Sequence, residues 1–290
     1  MKFAQNIFLI ILLLVLKNEF AFAQNKTILI ETELAFAEAA KNTNTRDAFL
    51  KFIDDEGILF RPHPVNGKEF LEKSPARPAK LLWYPSSSFM SSSEDLGVNW
   101  GPWEFRKTME EDPIAFGYFV TIWKKQNDGS WKFLFDMGNG NEKHESVIPA
   151  IKESILLSVN VSEKENKNVF SSLIEIEKML GADSKTNGFK NIYQKFVNKN
   201  TTIIRNEIFP VKEENINAFL DTTNVAQKWE TLGGSVSSAS DLGYTYGKIT
   251  FLNDSINEAE AKPSFYYLHV WVYDNGWKLL IDLTNPIPEG

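Results

Sequence analysis

The chain contains one stretch of sequence twice. The segment SSSEDLGVNWG, residues 91–101, recurs as SSASDLGYTYG at residues 237–247, with six of eleven positions identical. Downstream, WKFLFD (131–136) recurs as WKLLID (277–282), and the separation is again 146 residues. Two blocks that share one separation indicate two copies of one folded unit. A chain of 290 residues can hold two such domains of ordinary size.

Charge and composition narrow the class of protein. The hydrophobic content of 43% is enough for well-filled cores, and the net charge is −7 with acidic and basic residues interspersed. Nucleic-acid binding requires a basic stripe that replaces the counterions of phosphates. We therefore expect no nucleic-acid partner.

The first 23 residues have the pattern of a signal peptide. Lys2 precedes an apolar run at residues 7–16, and small residues stand at the cleavage positions in Ala21-Phe22-Ala23. An apolar run of about ten residues is too short to span a bilayer, although an uncleaved anchor is the alternative. We predict cleavage after Ala23 and no stable membrane span thereafter. Because the chain has no cysteine, we expect a bacterial periplasmic or extracellular protein without disulfides or a lipid anchor on cysteine.

The order of elements predicts the α+β fold class. Each copy begins with two helices, at residues 27–40 and 45–56 in the first and 169–180 and 189–197 in the second. A short strand ending in arginine follows (57–61 and 201–205), then a meander that closes with hairpins at residues 127–129 and 274–276. Thr45 is the expected N-cap of its helix, Gly57 its end, and Gly101-Pro102 a β-bulge. Two tandem cone-shaped domains result, each with N-terminal helices packed on a curled, mostly antiparallel sheet.

This organisation divides the chain into four parts. The signal peptide occupies residues 1–23 and the first domain 24–140. A helical and polar linker covers residues 141–168, and the second domain covers 169–290.

The motifs of the first copy resemble a known superfamily. The segments FRPHPVNGKEFLE, LLWYP, EDLGVNWGPWEFR and YFVTIWKKQNDGSWKFLFDMG are similar to nuclear transport factor two-like domains, in particular a bacterial branch of unknown function. The resemblance covers nearly all of residues 27–138, whereas the second copy lacks PVNG and GPW. That superfamily includes ketosteroid isomerases, SnoaL-like polyketide cyclases, dehydratases and binding modules, so the fold does not select a function.

Few residues are candidates for chemistry. His63 and Asp136 are weak candidates for a catalytic base, and Asp95 and Asp136 are better explained as turn or capping acceptors. Arg61 recurs as Arg205 and is a candidate for holding a ligand carboxylate, or for pairing with Glu31 or Glu33. A ligand site in the first cone would be lined by the following residues: Arg61, His63, Trp83, Trp100, Trp103 and Tyr118.

Other chemistries lack support in the sequence. The three histidines have no metal-ligand spacing, and no nucleophile elbow, phosphate-binding loop or dinucleotide fingerprint occurs. We expect no metal and no cofactor. The leading interpretation is non-covalent binding of a small, partly apolar ligand in the first domain. The alternatives are a cofactor-independent isomerase, dehydratase or cyclase, and a structural module with a filled pocket.

The penultimate strands predict how the copies meet. In the first copy Tyr118, Val120 and Ile122 point to one face while Phe119, Thr121 and Trp123 point to the other. Both faces are largely apolar, so both should be covered. The helices of a domain can cover only one face. We therefore predict an intramolecular pseudo-dimer in which the sheets pack together and bury Trp123 and Trp271 between them.

Overall fold

The computed structural model describes residues 28–143, 169–223, 225–252 and 264–287. The predicted signal peptide and nearly all of the predicted linker lie outside the described residues. None of the described helices is long and apolar enough to cross a membrane.

The first domain places three helices beside a seven-stranded sheet. The helices are α1 (28–42), α2 (Thr45–Phe52) and α3 (Gly67–Lys73). The strands are β1 (Ile53–Phe60), β2 (Pro64–Asn66), β3 (Lys80–Trp83), β4 (Ser87–Met90), β5 (Leu96–Arg106), β6 (Ala115–Lys125) and β7 (Trp131–Asn141). Their order is β2-β1-β7-β6-β5-β3, with β4 also paired to β5. Only the β1–β7 pair of these is parallel.

The second domain repeats this topology with six strands. Its helices are α4 (Val169–Asn187), α5 (Phe189–Tyr193) and α6 (Asn215–Thr222). The strands are β8 (Thr202–Arg205), β9 (Ile208–Lys212), β10 (Gln227–Val236), β11 (Leu242–Phe251), β12 (Ser264–Tyr273) and β13 (Trp277–Pro286). Their order, β10-β11-β12-β13-β8-β9, is the order of the first sheet read in the opposite direction. The predicted α+β class and the two tandem copies are confirmed.

Local details differ from the sequence prediction around α2. The helix is capped by Asn44, whose side chain accepts from the backbone N–H of Asp47, rather than by Thr45. It ends at Phe52 because the backbone of Ile53 is already extended, with φ −74° and ψ 143°. Gly57 therefore does not end a helix. It lies inside β1, where a Cβ would come within 2.3 Å of the Ile53 side chain, at a shift in the register with β7.

The bulge predicted at Gly101-Pro102 is also absent from β5 as described. The ladder between β5 and β6 runs through both residues without a register shift. On its other edge β5 exchanges partners there, from β4 at Trp100 to β3 at Trp103. Proline is tolerated because its missing N–H falls in the gap between two partner strands.

The apolar side chains form three clusters. One lies between helices and sheet in the first domain and includes Phe36, Phe49, Trp123 and Phe133. Its counterpart in the second domain includes Tyr193 and Trp271. The third cluster contains residues of both sheets: Phe60, Phe89, Leu96, Val98, Trp100, Val120, Ile122, Phe135, Met137, Ile204, Leu242, Tyr244, Tyr266, Leu268, Val270, Val272, Leu280, Ile281 and Leu283. The outer faces of the two sheets therefore pack against each other.

The structure corrects which aromatic residues lie in that interface. Val120 and Ile122 face the sister sheet, in agreement with the alternation along β6. Trp123 and Trp271, which were predicted between the sheets, instead face the helices of their own domains. One strand with two apolar faces does not show which face is concave, and this is why the assignment was wrong.

The repeated serine-aspartate turns hold the two domains together reciprocally. Asp95 accepts hydrogen bonds from the backbone N–H (2.9 Å) and hydroxyl of Ser238. Asp241 accepts from the backbone N–H of Ser92 at 2.8 Å. Each aspartate also accepts from a serine of its own turn, Ser91 or Ser237. Asp95 and Asp241 are turn acceptors, as expected, and they also join the domains.

We expect the first domain alone, residues 24–140, to form homodimers or aggregates. Alone, it exposes side chains such as Val98 and Trp100, each worth about 1.5–3 kcal/mol when buried. Light scattering coupled to size-exclusion chromatography would show this, with residues 24–290 as the control. A soluble monomer whose thermal stability equals that of the full chain would contradict the packing.

Candidate functional site

A row of polar residues crosses the concave face of each sheet in register. In the first sheet Asn99 pairs with Thr121, which pairs with Asp136; we call these three residues the first polar rung. In the second sheet Thr245, His269 and Asp282 pair in the same way and form the second polar rung.

A buried glutamate from the long N-terminal helix of each domain lies over each rung. Glu33 on α1 accepts hydrogen bonds from the indoles of Trp83 and Trp123, both at 2.7 Å, and from the amide of Asn99 at 3.1 Å. Burial raises the pKa of Glu33 to about 7 against the effect of these donors. Three donors converging on one carboxylate fix α1 to the sheet.

Glu177 on α4 has the corresponding place in the second domain. It accepts from Nδ1 of His269 at 2.9 Å and from the indole of Trp271 at 3.2 Å, and also from the hydroxyl of Thr245. All four side chains are fully buried. The two helix-to-sheet contacts therefore follow one plan, with His269 present only in the second domain.

The aspartate of the second rung is closed in by its neighbours. The guanidinium of Arg205 donates to both carboxylate oxygens of Asp282, at 2.8 and 2.6 Å, in a fork geometry. The hydroxyl of Tyr193 donates to the same carboxylate, and Nε2 of His269 lies 3.5 Å from it. Asp282 itself is fully buried.

The charges of the second rung stabilise one another. Burial alone would raise the pKa of Asp282, but the positive charges of Arg205 and His269 hold it well below its ordinary value. Burial would likewise lower the pKa of His269, yet Glu177 and Asp282 raise it to about 9. At neutral pH His269 is therefore protonated and cannot act as a general base.

Asp136, the aspartate of the first polar rung, has fewer side-chain partners than Asp282. Asp136 accepts from the hydroxyl of Thr121 at 2.9 Å, its single hydrogen-bond partner among the described residues. It is only partly buried, and burial raises its pKa to about 6 while Thr121 and the nearby charge of Arg61 act in the opposite direction. Arg61 is exposed as a residue and donates to the carbonyl of Phe60 at 2.7 Å, but its guanidinium lies close enough to the protein for burial to lower its pKa. Arg61 therefore influences Asp136 without closing on it.

Small and aromatic residues complete this part of the first cone. Leu59 pairs with Asp136, and Arg61 and Gly138 each lie two residues further along their chain segments. Trp103 is partly exposed, and its indole donates to the carbonyl of Tyr118 at 3.2 Å. A Cβ on Gly138 would lie 3.1 Å from Nε1 of Trp103. We call Arg61, Asp136, Gly138 and Trp103 the mouth of the first cone.

The structure separates the other predicted site residues from this mouth. Trp83 lies deep in the first cone on Glu33, Trp100 is 2% exposed between the two sheets, and Tyr118 packs against the same intersheet cluster. His63 is exposed, with Nδ1 2.7 Å from the hydroxyl of Tyr266 in the second domain. Only Arg61, Asp136 and Trp103 of the predicted residues share one place.

Sequence reasoning missed several polar residues and misassigned one pairing. Glu33 binds two tryptophans and an asparagine rather than Arg61, and the recurring arginine pairs with a strand aspartate in the second copy alone. Tyr193, Glu177 and His269 carried no signal because they come from separate elements. The recurrence of Arg61 with Asp136 as Arg205 with Asp282 was the available clue. Among the described residues no group of three histidine, aspartate or glutamate side chains is placed to hold a metal ion.

We expect Asp282→Asn to lower the free energy of unfolding by about 3–5 kcal/mol, because it leaves the guanidinium of Arg205 without a counter-charge and Glu177 as the one carboxylate beside His269. The matched change Asp136→Asn should cost less than about 1 kcal/mol, because the amide still accepts from Thr121 and no buried charge is left unpaired. Urea unfolding at neutral pH measures both. Equal losses would mean that the two rungs do not differ in this way.

Comparison with known proteins returns similarities of fold only. No protein-family model matches the chain. No curated protein matches it either. Among solved structures it is similar to an NTF2-like protein from Cytophaga hutchinsonii (17% identity, 41% of this chain and 98% of that chain, TM-score 0.32). It is also similar to a conserved protein from Planctomyces limnophilus (14% identity, 41% of this chain and 97% of that chain, TM-score 0.32). A third similar structure is a protein assigned as a SnoaL-like polyketide cyclase from Jannaschia sp. (9% identity, 44% of this chain and 90% of that chain, TM-score 0.31). The helix-on-curled-sheet fold that the motifs predicted is present in both halves of the chain.

Proposed function

We propose that the first domain binds a small, partly apolar, anionic ligand at the mouth of its cone. One observation carries the proposal: the arginine and aspartate that close on each other in the second cone stay apart in the first. Arg205 donates to both oxygens of Asp282, whereas Arg61 makes no hydrogen bond to Asp136 in the part of the chain that the structure describes.

The chemistry of the mouth suits a ligand with an acidic group. Arg61 is exposed and presents a planar fork of donors that matches a carboxylate. Trp103 offers a partly exposed aromatic surface on the opposite side of Gly138. An apolar body can lie against that ring while its acidic group reaches the guanidinium.

The interior of the first cone restricts the site to its open end. Phe36, Trp83, Trp123 and Phe133 pack with ring centroids 4.7–6.1 Å apart beneath the helices. These side chains are at most 4% exposed. The ligand is therefore bound at the mouth and not deep in the cone.

We expect Arg61→Ala to weaken the binding of 3-phenylpropionate, a carboxylate on an aromatic body, by at least about tenfold. Loss of a charge-assisted pair of hydrogen bonds accounts for a change of that size. Isothermal titration calorimetry measures it, with Arg205→Ala as the control. That control should reduce thermal stability while retaining affinity. If Arg205→Ala weakened binding more than Arg61→Ala, the first cone would not be the site.

A second function is favoured by the titration of Asp136. A partly buried carboxylate whose pKa is raised to about 6 is close to the range of a general base working at neutral pH. Arg61 beside it could hold the acid group of a substrate during proton abstraction next to a ketone. A cofactor-independent isomerase or cyclase would need this pair of groups.

If Asp136 is a base, the protein should accelerate exchange of the carbon-bound protons of phenylpyruvate with deuterated water. Only the ionised carboxylate takes up a proton, so the rate should rise as pH increases through about 6 and then level off. Proton NMR follows the exchange, and Asp136→Asn should abolish the acceleration. Exchange no faster than in buffer would leave binding as the function.

A further inference from the structure

The second cone shows which groups the first cone lacks. The two domains share contacts around α2 and α5: Lys132 donates to the carbonyl of Lys51, and Lys278 donates to that of Lys195. Phe52 meets Trp123 at 6.3 Å edge to face, and Phe196 meets Trp271 at 5.8 Å. These pairs put Phe49 of the segment AFLKF in the position of Tyr193 in IYQKF.

Two donors of the second cone are replaced in the first. Tyr193 gives a hydroxyl to Asp282, but Phe49 has none to give to Asp136. His269 stands opposite Asp282 in the ladder, and Thr121 stands opposite Asp136. The threonine supplies one hydrogen bond at 2.9 Å and no positive charge.

Arg61 also makes fewer hydrogen bonds to its aspartate than Arg205 does. Arg205 fills the remaining acceptor sites of Asp282 with two hydrogen bonds. Arg61 leaves those sites of Asp136 unfilled and is itself exposed. Relative to Asp282, Asp136 lacks the phenol hydroxyl and the cations that contact it, while Arg61 donates to a backbone carbonyl and not to a carboxylate.

We infer that the ligand of the first cone supplies both: an acidic group for Arg61 and, next to it, a hydroxyl or ammonium donor for Asp136. Its class is that of 2-hydroxy or 2-amino acids with an apolar side chain. This inference rests on the proposed function and narrows it. The ligand's carboxylate takes the place of Asp282 as the acceptor for the arginine fork, and its adjacent donor takes the place of the tyrosine hydroxyl and the imidazole.

The apolar side chain of such a ligand also has a place. The ring of Trp103 covers Gly117, where a Cβ would meet it at 2.5 Å, and it extends to Gly138. Asp136 lies one step further into the cone on the same strand face. A ligand of this class can therefore contact the cation of Arg61, the carboxylate of Asp136 and the ring of Trp103 at the same time.

Three probes with one carbon skeleton test the inference on the full mature chain. These are 3-phenylpropionate, 3-phenyllactate and phenylalanine, which differ in having no donor, a hydroxyl or an ammonium group beside the carboxylate. Calorimetry should give a dissociation constant at least about tenfold lower for one of the two donor-bearing probes. Asp136→Asn should remove that preference, so that the three dissociation constants of the variant agree within about threefold.

A second set of variants tests the internal comparison. The double variant Phe49→Tyr, Thr121→His restores the donors of the second cone, so it should bring Arg61 onto Asp136 and abolish binding of all three probes. Phe52→Tyr adds the same hydroxyl elsewhere on α2 and should leave binding unchanged. A crystal structure of the double variant shows directly whether the ion pair forms.

The outcomes separate the two proposals. Equal affinities for the three probes, all weakened by Arg61→Ala, would overturn the ligand class and keep the proposed function. No binding of any probe at millimolar concentration would overturn both. Unaltered binding in the double variant, or in its crystal structure an Arg61 still apart from the carboxylate, would overturn the comparison on which the inference stands.

Discussion

The packing of the two outer sheet faces is the interaction on which the rest of this protein depends. Both faces of β6 and of β12 are apolar, and the helices of a domain cover only the concave one. A single copy would leave an apolar sheet in water, which is a liability for solubility. Two copies in one chain solve this by covering each other. The convex faces are consequently occupied, and the concave cones are what remains for ligands.

The reciprocal serine-aspartate contacts explain why the copies share that stretch of sequence. Asp95 and Asp241 each accept from their own turn and from the turn of the sister domain. Such an isologous contact places the same chemical demand on both copies, so the same residues satisfy it twice. The interiors of the two cones do not contact each other in this reciprocal way, so nothing requires them to carry the same residues. They differ at Phe49 and Tyr193 and at Thr121 and His269, although the frame around them is the same.

The sequence predicts the frame better than the site, for physical reasons. Two copies, the hairpin turns and the need to cover both sheet faces follow from periodicity and from residues such as Gly129 and Gly276, which adopt positive φ in the turns. The concave face could not be identified, because Val120 and Trp123 are equally suited to burial. The polar rungs could not be predicted from the sequence for a different reason. They are joined by helix residues, Glu33 and Glu177, whose partners are known only after the helix is docked.

The raised pKa values of two carboxyl groups in the first cone affect what the mouth of that cone can bind. Glu33 and Asp136 both have raised pKa values, about 7 and about 6, and Asp136 contributes to the shift of Glu33. A carboxyl group whose pKa is raised by folding is more stable in its protonated form, so the stability it costs is recovered as pH falls through the folded pKa. At neutral pH the first cone therefore holds negative charge at a cost that the second cone offsets with Arg205 and His269. A ligand that brings a donor to Asp136 relieves the same cost, and its binding lowers the pKa of that carboxyl. If the proposed ligand binds there, its affinity is linked to proton release in the first cone, whereas the second cone, whose aspartate is already paired with Arg205, should show no such linkage.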